Sequence, residues 1–357
     1  MLGVISLVVP LRAETPIGEI VEDAGLEEGA VATRDRPGWR TPRKIVVSDE
    51  YDIIERLRTA FPGLEVVGAG SAQAAADAIR DADAVMGFCN AEIAERADRL
   101  LWIQIFSAGA ENCLAVKDVA NGDILLTNMQ KMSSPVIGEH AVAMMMSLAR
   151  GLTPYAKIMP KGEWSYEIAE NGSMTYLQGR TVLVAGLGGI GTAVARRAHG
   201  LGMRVVATRN SSRDGPDFVD YVGLSDELLE LAADADVVVN ALPLTPKTTS
   251  LFDKDFFDAV KPGALFINVA RGGSVVTDEL VAALEDGRIA GAGLDVTEPE
   301  PLPQGHALWQ MHNVIITPHV AAHGNDRGNY PVVLEENVRR FIAGEPLLNV
   351  VDPARGY

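Results

Sequence analysis

From Lys44 onward, short apolar runs alternate with longer amphipathic stretches. KIVVSD (44–49), LEVVGAG (64–70), DAVMGFC (83–89), WIQIF (102–106) and ILLTN (124–128) have the length and β-branched content of strands. Between them lie helical stretches such as YDIIERLRTAF and SAQAAADAIRDA, the second opened by Ser71 as an N-cap. The runs are almost continuously apolar, so the strands are buried on both faces, as in a parallel sheet covered by helices. A longer helix, about 135–150, leads into a second block. Its strands are TVLVAG (181–186), RVVAT (204–208), DVVVNA (236–241), ALFINVA (264–270), AGLDV (292–296) and NVIIT (313–317). Thr277 precedes Asp278 and Glu279, acids that suit the positive end of a helix, and Gly287 sits at its C′ position. The tail PVVLEENVRRFIA (331–343) carries Pro in its first turn and ends before Gly344. The pattern predicts two doubly wound α/β domains with a cleft between them. The first is discontinuous, 44–133 plus 322–357, and the second spans 134–321. Residues 1–43, acidic and punctuated by Pro and Gly, read as an extension lying on the surface or on a partner subunit.

A length of 357 residues agrees with about two domains. With 48 acidic against 31 basic side chains the net charge is -17, which argues against nucleic acid or an anionic membrane as a partner. The apolar stretches LGVISLVVP (2–10) and AVAMMMSLA (141–149) fall far short of the roughly 20 residues of a membrane span. The first lacks a basic leader and is followed by Leu11-Arg12-Ala13, at best a degenerate secretory signal, so a cytoplasmic location is expected. Cys89 and Cys113 are too few for a disulfide framework and do not point to an oxidising compartment.

Candidate chemistry starts at Gly186-Leu187-Gly188-Gly189-Ile190-Gly191, a G-x-G-x-x-G between a buried strand and a helix, with a further strand completing a βαβ unit. Gly186 would make the tight turn, Gly188 would admit a pyrophosphate, and Gly191 would let the helix approach the strand. The helix N-terminus then offers free N–H groups to the phosphates. An acid about 20 residues on would hold the ribose hydroxyls of NAD. Here that strand ends in Thr208-Arg209-Asn210-Ser211-Ser212-Arg213. Arg209 and Arg213 would attract a 2′-phosphate, so NADP(H) is preferred and NAD(H) is the second option.

Three more segments lie at strand C-terminal ends, where open α/β sheets place ligands. They are Asn268-Val269-Ala270-Arg271-Gly272-Gly273, Leu294-Asp295-Val296-Thr297-Glu298-Pro299-Glu300 and Thr317-Pro318-His319. An arginine to clamp a carboxylate, a histidine to donate a proton and a carboxylate to hold the imidazole protonated form the minimum set for reducing a 2-oxo acid. Spacing alone does not separate Glu298 from Glu300 as the partner of the histidine. His140, beside Glu139, reads as a structural pair, and His306, His312 and His323 as surface or supporting residues. No His, Cys, Asp and Glu cluster has metal-ligand spacing, so no metal is expected.

Together these segments resemble the D-isomer-specific 2-hydroxyacid dehydrogenase family, from Lys44 to Tyr357. GLGGIG (186–191), PLTPKT (243–248), NVARGG (268–273), GLDVTEPEPLP (293–303) and TPHVA (317–321) match family signatures in order. SAGAEN (107–112) and GEHAVAMM (138–145) match its substrate-domain markers. The resemblance implies two Rossmann/flavodoxin-like domains, Arg271 as substrate clamp, His319 as acid/base and Glu300 as its partner. It implies that Asp295 holds the nicotinamide carboxamide and that Ser107, Ala108 and Gly109 bind the substrate carboxylate with Arg271. Ile190, Leu242, Pro243, Ala270 and His319 join the glycines and residues 209–213 in the cofactor set. The implied reaction is reduction of glyoxylate or hydroxypyruvate to a D-2-hydroxy acid, in a homodimer. Met144, Met145 and Met146 form a candidate dimer face, although Met-rich stretches are more often ordinary core. Formate dehydrogenases, which carry glutamine at the place of Glu300, fit less well. A phosphoglycerate dehydrogenase with a regulatory module is disfavoured by the short stretch after His319. A short phosphoglycerate-type enzyme and a non-catalytic, dinucleotide-sensing corepressor remain as alternatives. Three departures stand out: Gly189 replaces an arginine frequent in the family's glycine loop, the acid expected near position 209 is missing, and residues 1–43 have no counterpart.

Overall fold

Twelve parallel strands form two sheets in the computed structural model, which describes residues 15–170, 174–210, 212–324 and 329–356. The first sheet contains β1 (Lys44–Ser48), β2 (Glu65–Ala69), β3 (Ala84–Met86), β4 (Trp102–Gln104) and β5 (Leu125–Thr127), in the order β2-β1-β3-β4-β5. The second contains β6 (Thr181–Ala185), β7 (Arg204–Arg209), β8 (Tyr221–Leu224), β9 (Val237–Asn240), β10 (Ala264–Asn268), β11 (Ile289–Leu294) and β12 (Val314–Ile316). Its order is β12-β11-β10-β9-β6-β7-β8. Both sheets are doubly wound, with β1 and β6 as the strands from which the winding reverses. Every strand except β8 lies where the apolar pattern predicts one. Tyr221–Leu224 was missed because it is a four-residue edge strand containing a glycine.

The chain folds as two compact units. One comprises residues 1–106, 116–129 and 326–351, and the other 107–115, 130–325 and 352–357. The boundaries depart from 44–133, 134–321 and 322–357 mainly in that the segment Ser107–Ala115 groups with the second unit and the N-terminal residues with the first.

In the first unit a buried polar network ties the sheet to the C-terminal helix Tyr330–Ala343. Trp102 donates its indole N–H to Thr127 Oγ1 (2.8 Å), and Thr127 donates to Gln104 Oε1 (2.7 Å). Asn337 Nδ2 donates to the same Gln104 oxygen (3.0 Å) and its amide oxygen accepts from the Leu348 N–H (2.8 Å). All four side chains are buried, so each hydrogen bond removes a polar group that would otherwise be costly in the core. The stretch before β1 is more ordered than its composition suggests. Helix Ile17–Ala24 buries Ile20, and the turn Thr33–Asp35 is sewn to the chain after the C-terminal helix by Thr33 Oγ1 to Glu345 O (3.1 Å) and Arg34 Nε to Gly344 O (2.9 Å).

In the second unit the period-2 geometry of strands sends Leu183 and Ala185 into one core cluster and Val182 and Val184 into another. The first is covered by helices Leu228–Asp234, Lys254–Ala259 and Thr277–Glu285, the second by Ser134–Ala149 and Gly189–Gly200. Met144 and Met145 belong to this second core and Met146 packs partly against it. Met144 and Met145 are therefore core residues of this unit. The sheet's two buried faces account for the near-continuous apolar strands. Neither Cys89 nor Cys113 is a free thiol, a state that the cysteine count alone does not announce. Among the described residues no helix is long and apolar enough to cross a membrane.

Candidate active site

The turn after β6 has the geometry that its glycines foreshadow. Gly186 has φ +93°, and a Cβ there would stand 2.9 Å from the Ala241 carbonyl oxygen. A Cβ on Gly191 would lie 1.9 Å from Gly186 O, so the helix can meet the strand only if this position is glycine. Gly188 faces open space, with nothing within 4 Å of where its Cβ would be. It is also the N-cap of Gly189–Gly200 and supplies no side-chain hydrogen bond to that helix. The first N–H groups of the helix are thus left for an external acceptor, and the cradle fits a pyrophosphate. Gly189 has its own reason: a Cβ there would be 2.5 Å from Ser134 Oγ and 3.1 Å from the Lys131 side chain. An arginine would have to displace the start of the Ser134–Ala149 helix. Leu242 packs its side chain beside Gly186, and Pro243 accepts through its carbonyl from Thr248 Oγ1 (2.6 Å), which fixes the loop after β9.

At the end of β7 the two arginines differ. Arg209 donates Nη1 to Asp214 O (2.8 Å), and its other N–H groups have no partner among the described residues. Arg213 is committed: Nη2 pairs with Glu227 Oε1 at 2.7 Å and Nη1 donates to the Tyr221 hydroxyl at 2.7 Å. Those donors, chiefly Arg213, hold the Glu227 carboxyl down to about 2. Ser211 lies outside the described residues; Ser212 accepts from the Asp214 N–H (3.3 Å), and Asn210 sits between the two arginines in sequence. Neither Tyr221 nor Glu227 was singled out in the sequence, because both follow the loop that drew attention.

The loop after β10 holds Arg271. Asn240 and Asn268, both buried, are hydrogen-bonded to each other (3.0 Å). Asn268 Oδ1 accepts from the Ala270 N–H (3.1 Å), and Asn268 Nδ2 donates to Arg271 O (3.1 Å). Ser274 Oγ donates to the same carbonyl (2.7 Å). With the backbone so fixed, the guanidinium donates Nη1 to Ala270 O (2.7 Å) and sets Nε 3.1 Å from Glu111 Oε1. A Cβ on Gly109 would lie 1.8 Å from Arg271 Nη2, so the glycine is what admits the arginine. Ser107 Oγ donates to Gly109 O (2.9 Å), closing the turn that carries Ala108. The structure thus brings Ser107, Ala108, Gly109 and Arg271 into one constellation, and adds Glu111. That residue stands inside the quoted SAGAEN motif, and its acid two positions after the glycine was the signal to follow.

His319 sits in a left-handed conformation, φ +54°, uncommon for a residue with a side chain. Asp295 enforces the turn. Buried at the end of β11, its Oδ1 accepts from Thr317 Oγ1 (2.6 Å) and Val320 N (2.9 Å), and its Oδ2 from Ala321 N (2.9 Å). Its backbone oxygen accepts from His319 N (2.8 Å). Asp295, expected to hold a carboxamide, thus has at least the further task of shaping the segment that presents His319. His319 Nδ1 meets Glu300 Oε1 at 2.7 Å, while the backbone oxygen of Glu298 accepts from Thr277 Oγ1. The geometry therefore separates the two glutamates that spacing left open. His319 is about half exposed, and its Nε2 has no partner among the described residues. His140 corrects the expectation of a pair with Glu139. Successive helical residues face apart: Glu139 binds Arg197 (2.8 Å), and His140 Nε2 meets Thr317 Oγ1 (2.9 Å), behind Asp295. His306 accepts from Leu308 N and caps a short turn.

Residues 142–321 match the family model for the D-isomer specific 2-hydroxyacid dehydrogenase, NAD binding domain. The chain is 32% identical over 281 residues to a glyoxylate reductase of Korarchaeum cryptofilum, covering 77% of this chain and 84% of the relative. It is 32% identical to the human glyoxylate reductase/hydroxypyruvate reductase over 255 residues, 69% of this chain and 75% of that one. Among solved structures, a D-isomer specific 2-hydroxyacid dehydrogenase from Xanthobacter autotrophicus, in complex with NADPH and MES, superposes with a TM-score of 0.76 at 30% identity. The match covers 89% of this chain and 100% of that one. An NADPH-dependent glyoxylate/hydroxypyruvate reductase from Sinorhizobium meliloti, in complex with NADP and sulfate, gives 0.75 at 28% identity over 88% and 100%. With a glycine cradle for a nicotinamide dinucleotide and a His319–Glu300 pair in the same unit, the chain belongs to the D-isomer specific 2-hydroxyacid dehydrogenase family of oxidoreductases.

Proposed function

We propose that the protein reduces a small 2-oxo acid, of the glyoxylate or hydroxypyruvate class, to the D-2-hydroxy acid with NADPH. The observation that carries this reading is His319, held at Nδ1 by Glu300 at 2.7 Å with Nε2 unoccupied by protein. With Nδ1 turned to Glu300, Nε2 is the ring nitrogen left to hand a proton to the substrate. Donation of that proton to the substrate carbonyl oxygen neutralises the alkoxide as it forms. Arg271 binds the substrate carboxylate through its fork, aided by the N–H groups of the Ser107–Gly109 turn. Glu111 keeps the empty guanidinium oriented and shares it when the substrate arrives. The dinucleotide, when bound, supplies the hydride. Gly188 and the N-terminus of Gly189–Gly200 would hold its pyrophosphate, with Leu242, Pro243 and Ala270 along the adjoining loops. Arg209, with spare donors at the end of β7 and no acid in the loop position of an NAD enzyme, would take the 2′-phosphate. The names of the archaeal and human relatives support the substrate class, and the NADPH complexes of the structural neighbours support the cofactor.

The protein also works as a homodimer in this reading. Leu152, Met159, Trp164 and Trp309 expose large apolar side chains in the second unit, Trp164 at 88%. Light scattering should give twice the chain mass.

Initial rates on a panel of 2-oxo acids, each with NADPH and with NADH, test the whole reading. Turnover of glyoxylate or hydroxypyruvate with NADPH ahead of NADH is expected, and His319→Ala should lower kcat by about a hundredfold or more. Absence of turnover with every 2-oxo acid, or full activity in His319→Ala, would refute it.

A further inference from the structure

The first unit contains a cavity of about 220 Å³ that takes no part in the chemistry above. One wall is the stretch before β1, Arg36 and Trp39. The others are Leu101 before β4, Asp123 and Leu125 at the start of β5, and Phe341 in the C-terminal helix. The first wall lies before Lys44, where the family-like segments of the sequence begin. It is firmly held: Thr33 and Arg34 bond the Gly344–Glu345 backbone, and Trp39 Nε1 donates to Phe341 O (3.4 Å).

The charges around the cavity are unusual. Arg36 is partly withdrawn from water, and burial pushes its pKa below the usual arginine range. Among the described residues its side chain donates only to the Gly122 carbonyl and makes no ion pair. A guanidinium in this position is under-compensated, and a ligand carboxylate would restore what burial removed. Asp123, also on the cavity wall, is exposed, makes no hydrogen bond among the described residues, and acts on Arg36 only through the field. A simple anion would be attracted by one group and repelled by the other. A zwitterion satisfies both. The indole of Trp39 and the side chains of Leu101, Leu125 and Phe341 line the same cavity with apolar surface. The volume lies below the roughly 300–1,000 Å³ of sites for drug-sized ligands, which limits the guest to something compact.

We propose that this cavity is a binding site for a free α-amino acid with an apolar side chain. Arg36 receives the carboxylate, Asp123 the ammonium, and the Trp39–Phe341 side the apolar group. The site goes beyond the oxidoreductase reading and does not depend on it.

Calorimetric titration of the full chain with L-leucine and L-phenylalanine tests the proposal. The controls are 4-methylpentanoate, which lacks the ammonium, 3-methylbutylamine, which lacks the carboxylate, and glycine, which lacks the side chain. Saturable one-site binding of L-leucine or L-phenylalanine is expected, with each control at least tenfold weaker. Arg36→Gln and Asp123→Asn should each weaken amino-acid binding at least tenfold while leaving NADPH affinity at the wild-type value. Since Asp123 supports nothing else in the fold, Asp123→Asn separates lost recognition from lost structure. No saturable binding of either amino acid, equal binding of 4-methylpentanoate, or wild-type affinity in Asp123→Asn would each overturn it.

Discussion

The two sheets share one construction, yet the turn that follows the switch strand has opposite character in each. After β1 the chain runs Ser48-Asp49-Glu50-Tyr51-Asp52 into helix Ile53–Ala60, with three carboxylates at the helix's positive end. After β6 it runs Gly186-Leu187-Gly188 into Gly189–Gly200, with no side chain capping the helix. Two other helix entries of the first unit are closed by their own residues: Ser71 accepts from Ala74 N and Asn90 from Ile93 N. A helix N-terminus attracts anions wherever it occurs. After β1 the chain sets its own carboxylates at that end, whereas at Gly188 the attraction is left open. The capacity to bind a dinucleotide thus lies in a few turn residues and not in the doubly wound sheet.

The strongest way to break this comparison is to make the second turn resemble the first. Gly188 has extended backbone and open space at its Cβ, so Gly188→Asp should fold and should cap the helix well. Thermal stability is expected to stay level or rise. NADPH affinity, followed by fluorescence titration, should fall by about a hundredfold, because the carboxylate takes the N–H groups and repels the pyrophosphate. Unchanged affinity would mean that the open N-terminus is not what binds the cofactor.

Gly109→Ala addresses a different glycine, one that makes room for a side chain instead of a ligand. The added methyl would collide with Arg271 Nη2 at 1.8 Å, and the arginine would have to move. Since misplaced clamps are costly in rate, kcat/KM should fall by roughly tenfold to a hundredfold. Cofactor affinity should not change, so the two glycine variants separate dinucleotide binding from substrate positioning.

Much of this was legible in the chain. Strand positions followed from apolar runs that suit a doubly covered parallel sheet, and the need for glycine at 186 and 191 followed from steric necessity. What stayed hidden depends on tertiary approach. Nothing local says that Glu111 will reach Arg271, or that Ser134 will crowd position 189. Met144 and Met145 look the same in sequence whether they face a core or a partner. Glu298 and Glu300 are two residues apart, and only the folded turn presents Glu300 to His319. Tyr221–Leu224 escaped because its two buried positions are a valine and a glycine, which leave no apolar run to read.

Cofactor preference should respond more gently. Arg213 is held by Glu227, which would compete for it with a 2′-phosphate in the proposed reading. Glu227→Gln should free that guanidinium and tighten NADPH binding by about three- to tenfold, leaving NADH affinity nearly constant. Donation from Arg213 and Tyr221 keeps the carboxyl ionised down to about 2, so between pH 5 and 9 any change in the effect should follow the second ionisation of the 2′-phosphate, at about 6, and not this carboxyl. By the same linkage, any stability contributed by this depressed carboxyl is present above its ordinary value of 4.5 and is lost as pH falls through about 2. Weaker NADPH binding in Glu227→Gln would instead make Glu227 the residue that positions Arg213 for the phosphate.

The smallest expected effect lies in the first unit. Ser71 satisfies the Ala74 N–H at 3.2 Å, a cap at the entry to helix Ala72–Ala78. Ser71→Ala removes that acceptor and should cost about 1 kcal/mol in denaturant unfolding. It exposes the N–H groups of a helix only seven residues long, entered through Gly70, where the Asp49 carboxylate lies 3.2 Å from the place of a Cβ and would repel a phosphate. NADPH affinity should therefore stay at the wild-type value. An uncapped helix start is necessary for phosphate binding at Gly188 but is not sufficient: the backbone must also recede, as it does where Gly186 turns with φ +93° and Gly188 carries no side chain. Ser71→Ala tests the first condition without the second. If it created a new dinucleotide site, the distinction drawn between the two turns would fail.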